Sequence, residues 1–240
     1  MPTLTRAVLC DLDDTLFDHA RATRLALGRL CDAVPEFAAH PFDDLCDRHR
    51  TLLDTLHLDV LAGRVSIDNA RAERFRRLLE GVGGRDAATR AGDLASGYRA
   101  AYETSWYPVA GAVELARALQ RAAVPLVIVT NNIVTEQRIK LAHCGLTDLI
   151  TSLVTSEEVG SIKPDRQIFE EALARAGVEA GDAVMLGDAW STDIAGALGA
   201  GIRAVWLNRD GVVSPDPSVT EIRSLEPTDE VMRLLLRRTP

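Results

Sequence analysis

From Trp106 onward the chain alternates short apolar runs with stretches of helical periodicity, and this alternation constrains the fold most. The runs at 125–129, 149–154, 183–186 and 204–207 are too short for buried helices and read as strands. Between and around them, residues 109–122, 135–144, 164–176 and 191–199 read as helices. Regular alternation needs crossover connections, which implies a parallel sheet with helices on both faces. A further apolar run, Ala7–Cys10, supplies one more strand at the other end of the chain.

Residues 18–102 differ, with helical periodicity throughout and no convincing strand. Asp18 stands where it can cap a helix through Ala20, Leu25, Leu27 and Leu30 that stops before Pro35. A second helix runs from Asp43 through Leu45, Leu52, Leu53 and Leu56. Ser66 opens a third, which carries Phe75, Leu78 and Leu79 and ends at Gly81 and Gly83-Gly84. A fourth covers 87–103. The expected fold class is therefore α/β: a doubly wound (Rossmann-like) parallel sheet core, residues 1–16 and 106–240, with an inserted all-helical cap, 17–105. After Asp210, Pro215-Asp216-Pro217 and Pro227 read as a loop leading to a last helix around Val231, Leu234 and Leu235.

Composition excludes several classes. A net charge of −8 repels a phosphate backbone, so no nucleic acid polymer is expected as a partner. No apolar stretch approaches the roughly 20 residues that span a bilayer, so no membrane is expected either. No charged-then-apolar leader precedes the first strand, and a cytoplasmic protein is expected. Cys10, Cys31, Cys46 and Cys144 lack CxxC spacing and read as reduced thiols, Cys10 packing within its strand.

Four segments at predicted strand or helix ends carry groups capable of chemistry. Asp11-Leu12-Asp13-Asp14-Thr15 follows the first strand, where a carboxylate can be a nucleophile and a second can move protons. Thr130-Asn131 follows the strand at 125–129. Lys163-Pro164-Asp165 stands at a helix entrance. Gly187-Asp188 follows the strand at 183–186, with Asp193 five residues on. Each has a plainer reading: an acidic turn, the start of a loop, a surface lysine, helix-capping acids. Lys140 and Lys163 are the only lysines in a chain that otherwise uses arginine, which sets Lys163 apart as a compact, strongly hydrated charge. Lys140 is expected on a solvated helix face.

Taken together the plainer readings weaken. Strands of one parallel sheet present their carboxyl ends on one edge, so Asp11, Asp13, Asp188 and Asp193 converge. Two carboxylates ~4 Å apart repel by about 4 kcal/mol at an effective dielectric of ~20. Lys163 offsets one charge, and the remainder call for a cation. Hard oxygen donors without histidine or cysteine point to Mg²⁺. A metal, an ammonium, a hydroxyl and backbone amides around a carboxylate suit a phosphoryl group.

In these four segments, in this order, the chain resembles the haloacid dehalogenase superfamily of aspartate-nucleophile hydrolases, whose common layout also inserts a helical cap after the first motif. The resemblance implies that Asp11 attacks phosphorus and that Asp13 protonates the leaving oxygen, then activates water. It implies that Thr130 and the Asn131 amide hold phosphoryl oxygens and that Lys163 steadies Asp11 and the transferring group. It implies Mg²⁺ on Asp11, the Asp13 backbone carbonyl and Asp188, with Asp193 behind them. The dehalogenases of the family lack the second aspartate, because a halide leaves without a proton; Asp13 therefore favours phosphate esters. A cap without lysine disfavours the phosphonate-cleaving branch. The flanks Leu16-Phe17-Asp18 and Ser156-Glu157-Glu158-Val159-Gly160 are similar to nucleoside 5′-monophosphatases and N-acylneuraminate-9-phosphate phosphatases. The expected partner is a small-molecule phosphate ester. A sugar-phosphate mutase and a non-catalytic phosphometabolite-binding module remain alternatives. In the cap, His19, Arg21, Arg24, Arg64 and Arg74 are weak candidates to meet substrate.

Overall fold

A computed structural model describes residues 5–237. The chain divides into two compact units, Met1–Asp18 with Tyr107–Pro240, and His19–Trp106.

The His19–Trp106 unit consists of α1 (His19–Ala33), α2 (Pro35–Ala38), α3 (Phe42–Leu61), α4 (Ile67–Gly81) and α5 (Ala87–Glu103). The Ser66 hydroxyl accepts the Asn69 N–H at 3.2 Å and caps α4. The single turn α2 has no sequence periodicity to reveal it; Pro35 sits in its first turn, where a missing N–H costs nothing. Leu27, Phe37, Phe75, Leu78 and Leu79 fill the interior, and the Tyr98 ring lies 5.0 Å from both Phe75 and His49. Arg24 and Arg64 pair with Asp43 and Asp59 at the surface, whereas Arg74 is buried with its guanidinium over the Phe75 and Tyr98 rings.

His49 is fully buried, and neither ring nitrogen has a hydrogen-bond partner among the described residues. Burial pushes its pKa well below the usual 6.5, with Arg74 and His19 adding to the shift. The ring is thus neutral when folded and protonates when unfolded, so unfolding takes up a proton below pH 6.5 and stability falls with pH there. His49→Leu is expected to flatten this acid-side loss when melting temperature is followed from pH 8 to pH 5. An unchanged slope would disprove it.

The other unit is built on a parallel sheet of β1 (Ala7–Cys10), β2 (Leu126–Thr130), β3 (Ser152–Thr155), β4 (Ala183–Gly187), β5 (Arg203–Leu207) and β6 (Thr220–Ile222). The order is β3-β2-β1-β4-β5-β6. The chain builds outward from β1 to β3, then outward on the other side from β4 to β6. Such a reversal leaves a crevice at the carboxyl ends of the two strands flanking it, here β1 and β4. Cys10 is level with Ile128 and Leu186, so Asp11 emerges at the same height as the ends of β2 and β4.

Helices α6 (Ala112–Arg121), α7 (Val134–His143), α8 (Ser156–Val159), α9 (Arg166–Ala176), α10 (Ala195–Gly199) and α11 (Thr228–Leu236) complete this unit. Leu9, Val127, Val129 and Met185 alternate onto one sheet face and pack against Ile168 and Phe169 of α9. Full burial of each such side chain stabilises by about 1.5–3 kcal/mol.

Three details depart from expectation. The helix predicted at 191–199 opens instead with a π-helical turn, Trp190–Ile194, because the N–H groups of Asp193 and Ile194 both reach the Ala189 carbonyl. The strand predicted at 149–154 is confined to β3, after a 3₁₀ turn at Thr147–Leu149. Strand β6 lies in a segment that reads as loop; three residues paired to β5 by backbone alone leave no side-chain period to detect.

Candidate active site

Asp11 is fixed by its own backbone, whose N–H bonds the Leu186 carbonyl at 2.9 Å. The loop that follows is tight. The Leu12 carbonyl accepts from the N–H groups of Thr15, Leu16 and Phe17, and Asp14 N–H returns to the Phe17 carbonyl at 2.7 Å. Asp14 takes the left-handed conformation this turn needs (φ 63°), which aspartate tolerates better than most residues. The two carboxylates of the Asp11/Asp13 pair then enter separate networks.

Asp11, Asp188 and Asp193 each place a carboxylate oxygen within 4.8 Å of the others. Lys163 is buried among them: Nζ donates to Asp11 Oδ1 at 2.6 Å and to the Val129 carbonyl at 2.8 Å, and stands 2.7 Å from Asp193 Oδ1. The Asn131 side chain brackets the Lys163 backbone, accepting its N–H at 2.6 Å and donating to its carbonyl at 2.9 Å. Asp193 is 1% exposed, and its Oδ2 accepts the Ala189 N–H at 3.1 Å. Gly187 makes that approach feasible, since a Cβ there would stand 2.4 Å from Asp193 Oδ2. The Thr15 hydroxyl donates to Asp188 Oδ1 and accepts the Asp188 N–H, both at 3.1 Å. The Trp206 indole N–H bonds the Asp188 carbonyl at 2.7 Å.

The electrostatics follow. Burial pushes the Asp11 carboxyl well above its usual range; Lys163 pulls it down, and Asp193 and Asp188 push it up again. Asp188 rises to about 7, through burial first and then Asp193 and Asp14. Burial alone would lower the Lys163 ammonium, but Asp11 and Asp193 reverse this and hold it charged. Three carboxylates face one ammonium, a donor set of hard oxygens short of positive charge, and a hard divalent cation fits it. Cys10 plays no part: burial raises its thiol well above the usual range, and its Sγ rests on the Asp11 carbonyl.

The Asp13 carboxylate lies outside that group. Its Oδ1 is 2.5 Å from Lys140 Nζ, and its Oδ2 accepts from Gln137 Nε2 at 2.9 Å and Asn132 Nδ2 at 3.3 Å. Gln137 Nε2 also donates to Thr130 Oγ1 at 2.8 Å. This corrects the expectation for Lys140. It is no solvated helix-face lysine: its side chain is 4% exposed, with the ammonium 4.9 Å from the Phe17 ring centre. The lysine scarcity that singles out Lys163 applies equally to Lys140. Gln137, Asn132 and Thr15 carry no comparable signal in sequence, because glutamine, asparagine and threonine are ordinary at helix starts and turns.

The haloacid dehalogenase-like hydrolase family model matches residues 5–201. The phosphoserine phosphatase of Thermus thermophilus is 38% identical over 92% of this chain and 97% of its own length. The pyrimidine 5′-nucleotidase YjjG of Escherichia coli is 30% identical over 91% of this chain and 95% of its own. Among solved structures, the Bacillus subtilis HAD-hydrolase YfnB bound to magnesium superposes with a TM-score of 0.75 at 29% identity, covering 95% of this chain and 99% of that one. The chain belongs to the haloacid dehalogenase-like hydrolases, and it is a phosphatase among them.

Proposed function

We propose that this phosphatase hydrolyses the phosphomonoester of a small metabolite, a nucleoside monophosphate or a sugar phosphate, through an aspartyl-phosphate on Asp11. An Asp11 carboxylate oxygen attacks phosphorus while the bond to the leaving oxygen breaks, and Asp13 gives that oxygen its proton. Water then attacks the aspartyl-phosphate, its proton passes to Asp13, and the Asp11–phosphorus bond breaks to release phosphate. The Thr130 hydroxyl and the Asn131 backbone N–H hold phosphoryl oxygens. Lys163 keeps Asp11 oriented and offsets charge on the transferring group.

The observation that carries the reading is the separation of the two carboxylates. Asp11 is buried against Lys163 beside two further acids, whereas Asp13 is held by an independent set of donors. Two carboxylates in unlike surroundings are suited to unlike roles, nucleophile and proton carrier. Proton transfer of this kind contributes about 10²- to 10⁴-fold.

Asp11, Asp188 and the backbone carbonyl of Asp13 are the groups we assign to Mg²⁺, with Asp193 beside them holding Lys163. When bound, the ion neutralises the surplus carboxylate charge and polarises a phosphoryl oxygen. With Asp188 near 7 in the ion-free protein, binding below that pH displaces a proton. Apparent Mg²⁺ affinity is expected to weaken by at least about tenfold per pH unit below 7, since the Asp11 carboxyl is raised as well. Calorimetry in buffers of different ionisation enthalpy checks the proton release; an affinity constant from pH 5.5 to 8 would refute it.

The deciding assay is phosphate release from nucleoside monophosphates, sugar phosphates, phosphoserine and N-acylneuraminate 9-phosphate, with Mg²⁺ or EDTA. Mg²⁺-dependent release confined to a few esters supports the reading. Transfer of phosphate to an added sugar phosphate in place of water would replace it with a mutase.

A further inference from the structure

We propose that Lys140 and Gln137 form a positioning pair that aims the Asp13 carboxylate for its proton transfers and orients the Thr130 hydroxyl toward the phosphoryl group. The inference rests on the roles of Asp13 and Thr130 proposed above and adds two residues that no sequence motif marks.

The pair stands on one face of α7, three residues apart. Lys140 and Gln137 are 3% and 0% exposed, so their donors are shielded from water. The Asp13 side chain keeps 26% of its surface, enough to swing toward solvent if nothing held it. Lys140 grips Oδ1 with a charge-assisted bond and Gln137 grips Oδ2, so the carboxylate plane is held from both ends. Misplacement of a reacting group by about 1 Å can cost roughly 10²-fold in rate.

Gln137 does more than hold Asp13. Its amide nitrogen donates one hydrogen to Asp13 and the other to Thr130 Oγ1, while Oε1 has no partner among the described residues. The reversed amide would set Oε1 against a carboxylate, so the network decides its orientation. A hydroxyl has one hydrogen and two lone pairs. With one lone pair occupied by Gln137, the Thr130 hydrogen is directed elsewhere, toward an acceptor at the carboxyl end of β2. A phosphoryl oxygen there is such an acceptor.

The test separates positioning from a merely structural role by leaving-group chemistry. p-Nitrophenolate departs without a proton, whereas an alkoxide needs one from Asp13. In single-turnover reactions of the full chain with Mg²⁺, Lys140→Met is expected to slow phosphate transfer from glycerol 2-phosphate about 100-fold. Transfer from p-nitrophenyl phosphate should slow less than about fivefold, and KM should move less than about threefold on both. Gln137→Leu should show the same preference and also raise KM, through the loss of Thr130 orientation. Equal losses on both esters, or losses under about threefold on the alkyl ester, would overturn the proposal.

Should Lys140→Met not fold, the wild-type lysines still report. Labelled at ¹³Cε, the chain gives two lysine signals. Asp13→Asn should move the Lys140 signal and Asp11→Asn the Lys163 signal; a Lys140 signal indifferent to Asp13→Asn overturns the pairing. Where the wild type turns over neither ester, the alkyl ester it hydrolyses in the release assay takes the place of glycerol 2-phosphate. A wild type that releases phosphate from no ester counts against the function proposed above, while the lysine spectra still decide the pair.

Discussion

Replacing Lys163 by methionine is expected to abolish turnover and to destabilise the protein by about 3–5 kcal/mol at pH 8. The ammonium is 3% exposed and lies 2.6 Å from Asp11 and 2.7 Å from Asp193, whose side chains are 9% and 1% exposed. A thioether of similar length fills the space but leaves two buried carboxylates without their cation. For a chain of this size the loss corresponds to a fall in melting temperature of roughly 6–20 °C. The pH dependence has a definite sign. An acid whose folded pKa is raised destabilises the fold above its unfolded value, near 3.8 for Asp11, and that penalty vanishes as pH falls toward it. Without Lys163 the Asp11 carboxyl rises further, so the gap between variant and wild type should narrow from pH 8 to pH 5. Melting curves across that range are the check, and a variant melting within about 2 °C of wild type at pH 8 would contradict the account.

Asp11→Asn separates chemistry from stability. The amide has the size of the carboxylate but cannot attack phosphorus, and loss of the nucleophile we propose is expected to lower kcat by about 10⁴- to 10⁶-fold. The same change removes one of three crowded acids at a position where burial already opposes ionisation. The amide oxygen can still accept from Lys163. Melting temperature without Mg²⁺ is therefore expected to be unchanged or higher, while phosphate release and acid-stable incorporation of labelled phosphate both disappear. Residual turnover above about 1% would assign the nucleophile elsewhere.

The contrast between these variants reflects how differently the site is written into sequence and fold. Asp11, Thr130, Lys163 and Asp188 stand at the ends of apolar runs or at a helix entrance, and in a parallel sheet such ends share one edge. The order of those segments already implied convergence. The strand order and the reversal between β1 and β4 were not legible, because pairing partners depend on backbone contacts between residues far apart in the chain. The same holds for β6 and for the π-helical turn at Trp190–Ile194, each set by bonds that leave no side-chain period.

The sequence by itself determined the classes of element, the helical insert between the first two core strands, and the residue types able to handle a phosphoryl group, since these follow from local periodicity and side-chain chemistry. Only the tertiary structure decided which charge meets which. It sends Asp11 to Lys163 and Asp13 to Lys140, buries a lysine that local pattern places in solvent, and ties Thr130 to Asp13 through Gln137. Partners 127 and 152 residues apart are chosen by the sheet and by the cost of burying a charge alone, and neither is visible along the chain.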